Sequence, residues 1–347
     1  MSTTAKYQST WHLADWATVK ALGSELRRCP ACGKLTYKPY VDGQGNILDP
    51  KVGRCNREIN CGYHVKPKDW MAQNGIQVTP ATVAPQKQKA LLTLPLSWVR
   101  AKMANNANNP LLLWLLSLPW SSEQLTRLEA AILSYGVGTD KLGRTIWWQI
   151  DSQNRLHSGK MMRYDTNGHR VKTGKGNFGW VHSAARAAGL INDDCEFVSC
   201  LFGEHLIKHY PQAQVCVVES EKSALICSAF WPMSEKVWVA TGGLSSLHGA
   251  QLSTIATQHS VWLYPDHDGY SKWLDICREI GHPKVKVADL VERLYQEDVD
   301  PPNADIADVL LRVGTSTNTN SNESIINKNI YLKELIQCLD LQIENSK

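Results

Sequence analysis

The chain has 347 residues, with 37 Lys and Arg against 33 Asp and Glu for a formal net charge of +4, and is 43% hydrophobic and 20% charged. At about 100–200 residues per domain this length predicts two or three domains, and the composition excludes wholesale disorder. Ten cysteines are too dilute for a small disulfide scaffold, and no charged-then-apolar leader opens the chain. The expected compartment is the cytoplasm, where clustered cysteines point to metal. The longest apolar run, LLLWLLSLPW at residues 111–120, is shorter than the roughly 17–25 residues a bilayer requires. It reads as a core helix, and no membrane partner is expected.

Residues 1–75 hold four of the ten cysteines: Cys29 and Cys32, with two residues between them and Gly33 after, then Cys55 and Cys61, with Gly62 after. A Cys-x-x-Cys-Gly knuckle points two sulfurs at one ion, and tetrahedral Zn²⁺ takes four such ligands. The 22-residue gap between the pairs carries Asp42-Gly43 and Gly45-Asn46 turn signals between strand-like runs, as a small β-ribbon would. A redox pair is the competing reading, disfavoured by the second pair. That second pair is loosely spaced, so His64 is an alternative ligand to Cys61. Arg27, Arg28, Lys34, Lys38, Arg54 and Arg57, interleaved with Tyr37, Tyr40 and Tyr63, favour nucleic acid as what this segment touches. The other six cysteines lie in apolar contexts and read as core.

Residues 76–95 are rich in Pro, Ala, Thr and Gln without apolar period and read as a linker. Residues 96–210 begin with helical patterns at 98–103, 111–118 and 123–135, followed by a strand at 145–150. Within positions 141–175 lie 8 Lys and Arg against 2 Asp and Glu, a local +6. Residues 211–312 alternate strands and helices regularly, which predicts a parallel sheet with helices on both faces. Here the balance reverses, with 7 basic against 14 acidic residues over 211–310, or −7. Residues 313–347 comprise a low-complexity polar tether and an amphipathic helix at 330–343.

In parallel sheets ligands gather at the carboxyl ends of strands. Glu219 follows the run VCVV and the Asp266/Asp268 pair follows VWLY, so these acids occupy such ends. Converging carboxylates repel one another unless a cation intervenes, and all-oxygen ligands suit Mg²⁺ or Mn²⁺. The competing reading is that Asp266 or Asp268 merely caps the following helix.

At these residues the sequence resembles the Toprim domain of DnaG-type primases, phage primase–helicases, topoisomerases and some nucleases, through VVESEKSALICSAF, ATGG and LYPDHDG. Leu201-Phe202-Gly203 resembles the segment that precedes Toprim in primases. Gly159 to Tyr164 resembles the basic strand of their N-terminal lobe, and the zinc ribbon precedes both in primase order. The closest architecture is that of primase-like proteins of bacterial mobile elements. The resemblance implies a fold of a zinc β-ribbon, an α+β primase-like lobe and a Toprim α/β domain with a parallel sheet. It assigns catalytic divalent metal to Glu219, Asp266 and Asp268, with Asp305 and Asp308 as a further acidic pair. Template and nucleotide contacts then fall on Lys160, Arg163, Arg170, Lys172 and Lys175. The family pattern Glu-Gly-x-x-Asp is broken here, Ser220 replacing the glycine and Ser223 the second acid.

The expected function is therefore synthesis of short RNA primers on single-stranded DNA from nucleoside triphosphates, in the bacterial cytoplasm at the nucleoid. A Toprim nuclease and a non-catalytic single-stranded-DNA-binding accessory are the alternatives. No P-loop occurs in the chain, so a separate replicative helicase is the expected partner.

Overall fold

The computed structural model describes residues 11–57, 61–76, 90–174, 176–192, 195–243, 247 and 249–314. The chain divides into two compact units, residues 1–88 and 89–347. Among the described residues no helix is long and apolar enough to cross a membrane.

The first unit is built on three short antiparallel strands, β1 (His12–Leu13), β2 (Tyr37–Val41) and β3 (Gly53–Cys55), in the order β1-β2-β3. In β2 alternate residues Tyr37, Pro39 and Val41 are buried, the period expected of a sheet with one covered face. Tyr37 pairs with Cys55 and Pro39 with Gly53. A Cβ at position 53 would lie 2.3 Å from the Lys38 carbonyl oxygen and 2.5 Å from the Tyr37 ring, so glycine is required there. Two helices complete the unit, α1 (Trp16–Ala21), capped by the Asp15 side chain, and α2 (Pro67–Gln73). Its apolar clusters are small, one of Ala14, Val19 and Val41 and another of Cys29, Tyr37 and Cys55. Cores of this size leave much of the stability to a bound metal.

The second unit opens with β4 (Ala90–Leu91), followed by helices α3 (Ser97–Met103), α4 (Pro110–Ser117) and α5 (Ser122–Ser134). Asn109 starts α4: its Oδ1 accepts from the backbone of Leu111 and Leu112, and Pro110 occupies the first turn. Only one side of this leucine-rich helix is core, because Leu111, Leu112 and Leu115 are buried while Leu113 and Leu116 are exposed. Ser121 and Gln124 form a capping box at α5. An antiparallel sheet follows, β5 (Gly138–Thr139), β6 (Thr145–Ile150), β7 (Leu156–Met162) and β8 (Phe178–Trp180), in sequential order. Every residue of β6 and β7 is buried, so both faces are covered. Trp147 enters one core with Leu128, Tyr135 and Phe202, while Trp148 enters another with Leu92, Leu94 and Val99.

The chain continues through α6 (Val181–Ala187), β9 (Cys195–Glu196), which pairs in parallel with β4, and α7 (Glu204–Ile207). Regular alternation then begins: β10 (Gln214–Val218), α8 (Glu221–Phe230), β11 (Lys236–Ala240), α9 (Gly249–Ala256), β12 (Val261–Leu263), α10 (Tyr270–Ile280) and β13 (Val285–Val287). The four strands form an all-parallel sheet in the order β11-β10-β12-β13, as the alternation predicts. Helices α11 (Leu290–Leu294) and α12 (Ile306–Gly314) end the described chain.

Two boundaries differ from expectation. The linker at 76–95 ends earlier, because Ala90 and Leu91 form β4 and Leu92 and Leu94 are core residues. Its residues 77–89 lie outside the described ones, as do the polar tether from 315 onward and the helix expected at 330–343. Packing also ignores the division at 210: one apolar cluster runs from Leu111 to Leu310 across both sheets. Tyr135 shows the continuity, its hydroxyl donating to the Trp238 carbonyl at 2.5 Å and lying 3.0 Å from Ser228 Oγ. Tyr135→Phe removes that donor in a fully buried place, so urea unfolding should show a loss of about 1–2 kcal/mol.

Candidate functional site

The four cysteine sulfurs of the first unit lie within 4.8 Å of one another. Cys29 and Cys61 are 3.6 Å apart and Cys32 and Cys55 3.9 Å. Tetrahedral zinc with Zn–S bonds of about 2.3 Å needs sulfurs about 3.8 Å apart, so the quartet fits the ion. The backbone builds the knuckles, with Cys29 N–H donating to the Lys34 carbonyl, Gly33 N–H to Cys29 and Cys61 N–H to Arg57. Gly33 and Gly62, each with φ +66°, turn the chain at the two knuckles. The alternative ligand His64 is engaged elsewhere, its Nε2 3.0 Å from Tyr40 Oη and its ring stacked on Tyr40. The Lys34 backbone N–H holds Cys32 down at about 6. At Cys61 the Tyr63 N–H acts in the same direction, but burial and the neighbouring sulfurs outweigh it and hold the thiol up at about 12. Thiols gathered this closely ionise together only when a cation joins them.

The second constellation lies at the carboxyl edge of the parallel sheet. Glu219 directly follows β10, and Asp266 and Asp268 follow β12, with Asp266 leading the 3₁₀ turn His267–Gly269. Asp266 is not a side-chain cap, which removes the competing reading for that residue. His267 N–H donates to the Ala304 carbonyl at 2.9 Å, bringing Asp305 and the start of α12 to the same edge. Asp305 and Asp308 exchange backbone-to-carboxylate hydrogen bonds of 3.1 and 3.0 Å. Ser223 donates a short hydrogen bond to Asp305 Oδ2. That hydroxyl orients the Asp305 carboxylate.

These acids are held away from water and within reach of one another's charge. Burial lifts Glu219 to about 7, opposed by the Asp266 backbone N–H and reinforced by Asp268. Burial, then repulsion from Glu219 and Asp305, push Asp266 to about 9. Burial and Asp305 raise Asp308 to about 6. Glu219 Oε1 and Asp266 Oδ1 are buried without a hydrogen-bond partner. Two orphaned carboxylate oxygens at one strand edge are the donors a hard divalent cation takes. The carboxylates stand further apart than the sulfurs: among the described residues only the cysteine quartet draws three or more ligand atoms within 4.8 Å.

Of the predicted basic residues, Lys160 is drawn inside. Its Nζ lies 3.0 and 3.1 Å from the two Glu221 carboxylate oxygens and donates to the Gly242 carbonyl at 3.0 Å. Gly242 has φ +81°, and a Cβ there would lie 3.3 Å from Glu221 Oε1. Arg163 donates from Nη2 to the Leu142 carbonyl at 2.6 Å, Arg170 lies over the exposed Phe178 ring at 5.7 Å, and Lys172 is exposed. Lys175 lies outside the described residues. Sequence reasoning missed the Glu221–Lys160 pair and the Ser223–Asp305 bond, because spacing carries no signal for partners 61 and 82 residues apart.

A family model described as a zinc beta-ribbon finger matches residues 20–76, and one described as a domain of unknown function, DUF6371, matches residues 109–267, less than half of the chain. No curated protein matches it. Among solved structures the chain is similar to the primase fragment of the bacteriophage T7 primase-helicase protein, at 15% identity and a TM-score of 0.33 over 58% of this chain and 70% of that one. It is also similar to the E. coli primase catalytic core, at 11% identity and 0.34 over 67% and 77%. The Aquifex aeolicus primase, with zinc-binding and RNA polymerase domains, is similar at 16% and 0.32 over 66% and 55%.

Two measurements test the centres. Elemental analysis of the purified chain should find one zinc, retained in His64→Ala and lost in Cys61→Ser after dialysis against a weak chelator. The second concerns pH. Glu219 and Asp266 bind their protons more tightly folded than unfolded, so stability is fully present below about pH 4 for these groups and is lost as pH rises through about 7 and about 9. The melting midpoint in buffer without divalent cations should fall across that range, Mn²⁺ should restore it at pH 8, and Asp266→Asn should flatten the slope.

Proposed function

We propose that the chain is a primase-like nucleotidyltransferase of Toprim type, which joins ribonucleotides into short primers on single-stranded DNA during replication of a mobile element, phage or plasmid. The observation that carries this reading is the pair of buried, unpartnered oxygens on Glu219 and Asp266 at the carboxyl edge of the parallel sheet. With Asp268, these residues would hold Mg²⁺ or Mn²⁺, and Asp305 and Asp308 would complete the acidic wall. The ion would supply charge neutralisation for a nucleotide's phosphates and for the attacking hydroxyl.

The chain's own residues do the positioning. Ser223 orients Asp305. Lys160, bonded to both Glu221 and the Gly242 carbonyl, fastens the antiparallel sheet to the turn after β11, beside Glu219. Arg163, Arg170, Lys172 and Lys175 belong to the strongly basic stretch and are the groups for template and triphosphate. The zinc ribbon, basic and rich in tyrosine, is the element for choosing where synthesis starts. A replicative helicase would be the partner that supplies the unwound strand.

The test is incubation with single-stranded DNA, labelled ribonucleotides and Mg²⁺ or Mn²⁺, beside the double variant Asp266→Ala/Asp268→Ala. The expected result is labelled oligomers that fall by more than about a hundredfold in the variant. Shortened DNA without synthesis would replace this reading with a nuclease. DNA retention with neither product would leave a binding accessory.

A further inference from the structure

On the antiparallel sheet, away from the acidic wall, α3 and α6 flank a groove of about 800 Å³. Its floor is Ile146, Trp148 and Met161, the sheet face opposite to the one that carries Trp147 into the larger core. These floor residues are at most 5% exposed, and the accessible walls are Ala184 of α6, Ala188 just after it, Leu142 and Leu190. The floor also lacks an acceptor: Trp148 is 1% exposed, and its indole N–H makes no hydrogen bond.

The rim is cationic. Arg144 is already committed, with Nε and Nη2 on Asp140 at 2.7 and 2.6 Å and Nη1 donating to the Gly176 carbonyl at 3.1 Å. That pair is neutral. Lys102 and Lys141 also line the groove, and among the described residues neither has an ion-pair partner. An apolar trough of small-molecule size with two uncommitted ammonium groups at its edge complements one kind of ligand. We propose that this groove binds a small amphipathic anion, an aliphatic or aromatic carboxylate whose apolar body lies on Leu142 and Leu190 and whose charge meets Lys102 and Lys141. The inference is independent of the acidic site.

The experiment uses the full-length chain and two probes, 1-anilinonaphthalene-8-sulfonate as fluorescent reporter and dodecanoate as competitor. Saturable reporter fluorescence should be displaced by dodecanoate, and by dodecanol at least about tenfold more weakly. Ala188→Trp, an exposed position on the groove's lip, should abolish the displaceable signal. Lys102→Glu/Lys141→Glu should weaken dodecanoate at least about tenfold while leaving dodecanol unchanged. Melting curves of both variants verify folding, and the charge variant tests the proposal even where the tryptophan variant does not fold. Equal competition by acid and alcohol, or undiminished dodecanoate binding in the charge variant, would overturn the proposal.

Discussion

A helix buried on every side has no water to turn its polar residues toward, so each must find a partner within the protein. Helix α8 is in that position, packed against α5, α12 and the strands β10 and β11, with all but two of its ten residues buried. Its polar groups therefore reach outward to fixed places. Glu221 takes Lys160 from the antiparallel sheet, Ser223 takes Asp305 from just before α12, and Ser228 lies against Tyr135 just after α5. The geometry of the acidic edge follows from these tethers.

The same burial explains the electrostatics. An ionised carboxylate taken out of water needs a cation or several donors, and removing one partner of a buried pair leaves the other uncompensated. Glu221 meets this requirement through Lys160. Glu219 and Asp266 do not: each keeps an oxygen with no partner, and both hold their protons to higher pH than an exposed acid would. Two neighbouring glutamates on one chain segment thus differ in environment, because one faces an ammonium group and the other faces carboxylates. A fully satisfied carboxylate would have nothing left for the metal proposed there.

The strands and helices from β10 to β13 were legible because parallel strands buried on both faces read as short apolar runs, such as VCVV and VWLY, between helix-length segments. The cysteine ligands were legible because a knuckle is local: the two sulfurs of each pair lie three and six positions apart. Partners distant in sequence were hidden. Lys160 sits in a basic stretch and reads as a phosphate contact, yet its register opposite Trp147 on β6 places it inside. Ala90 to Leu94 were hidden differently, since two-residue strands have no detectable period and take their conformation from the partners β9 and β7.

The opening charge of +4 conceals basic and acidic stretches of opposite sign, and that polarity was determined by the sequence alone, as were the metal-binding chemistry of the cysteines and the parallel architecture around Glu219 and Asp266. Each depends on residue type and short spacing. The tertiary structure decided which charges are available. It set Lys160 against Glu221, assigned Ser223 to Asp305, turned His64 away from the sulfurs, and left Lys102 and Lys141 uncommitted beside an apolar groove. Whether a charged group is paired or free depends on desolvation and on neighbours brought close by packing, and neither is written in the spacing along the chain.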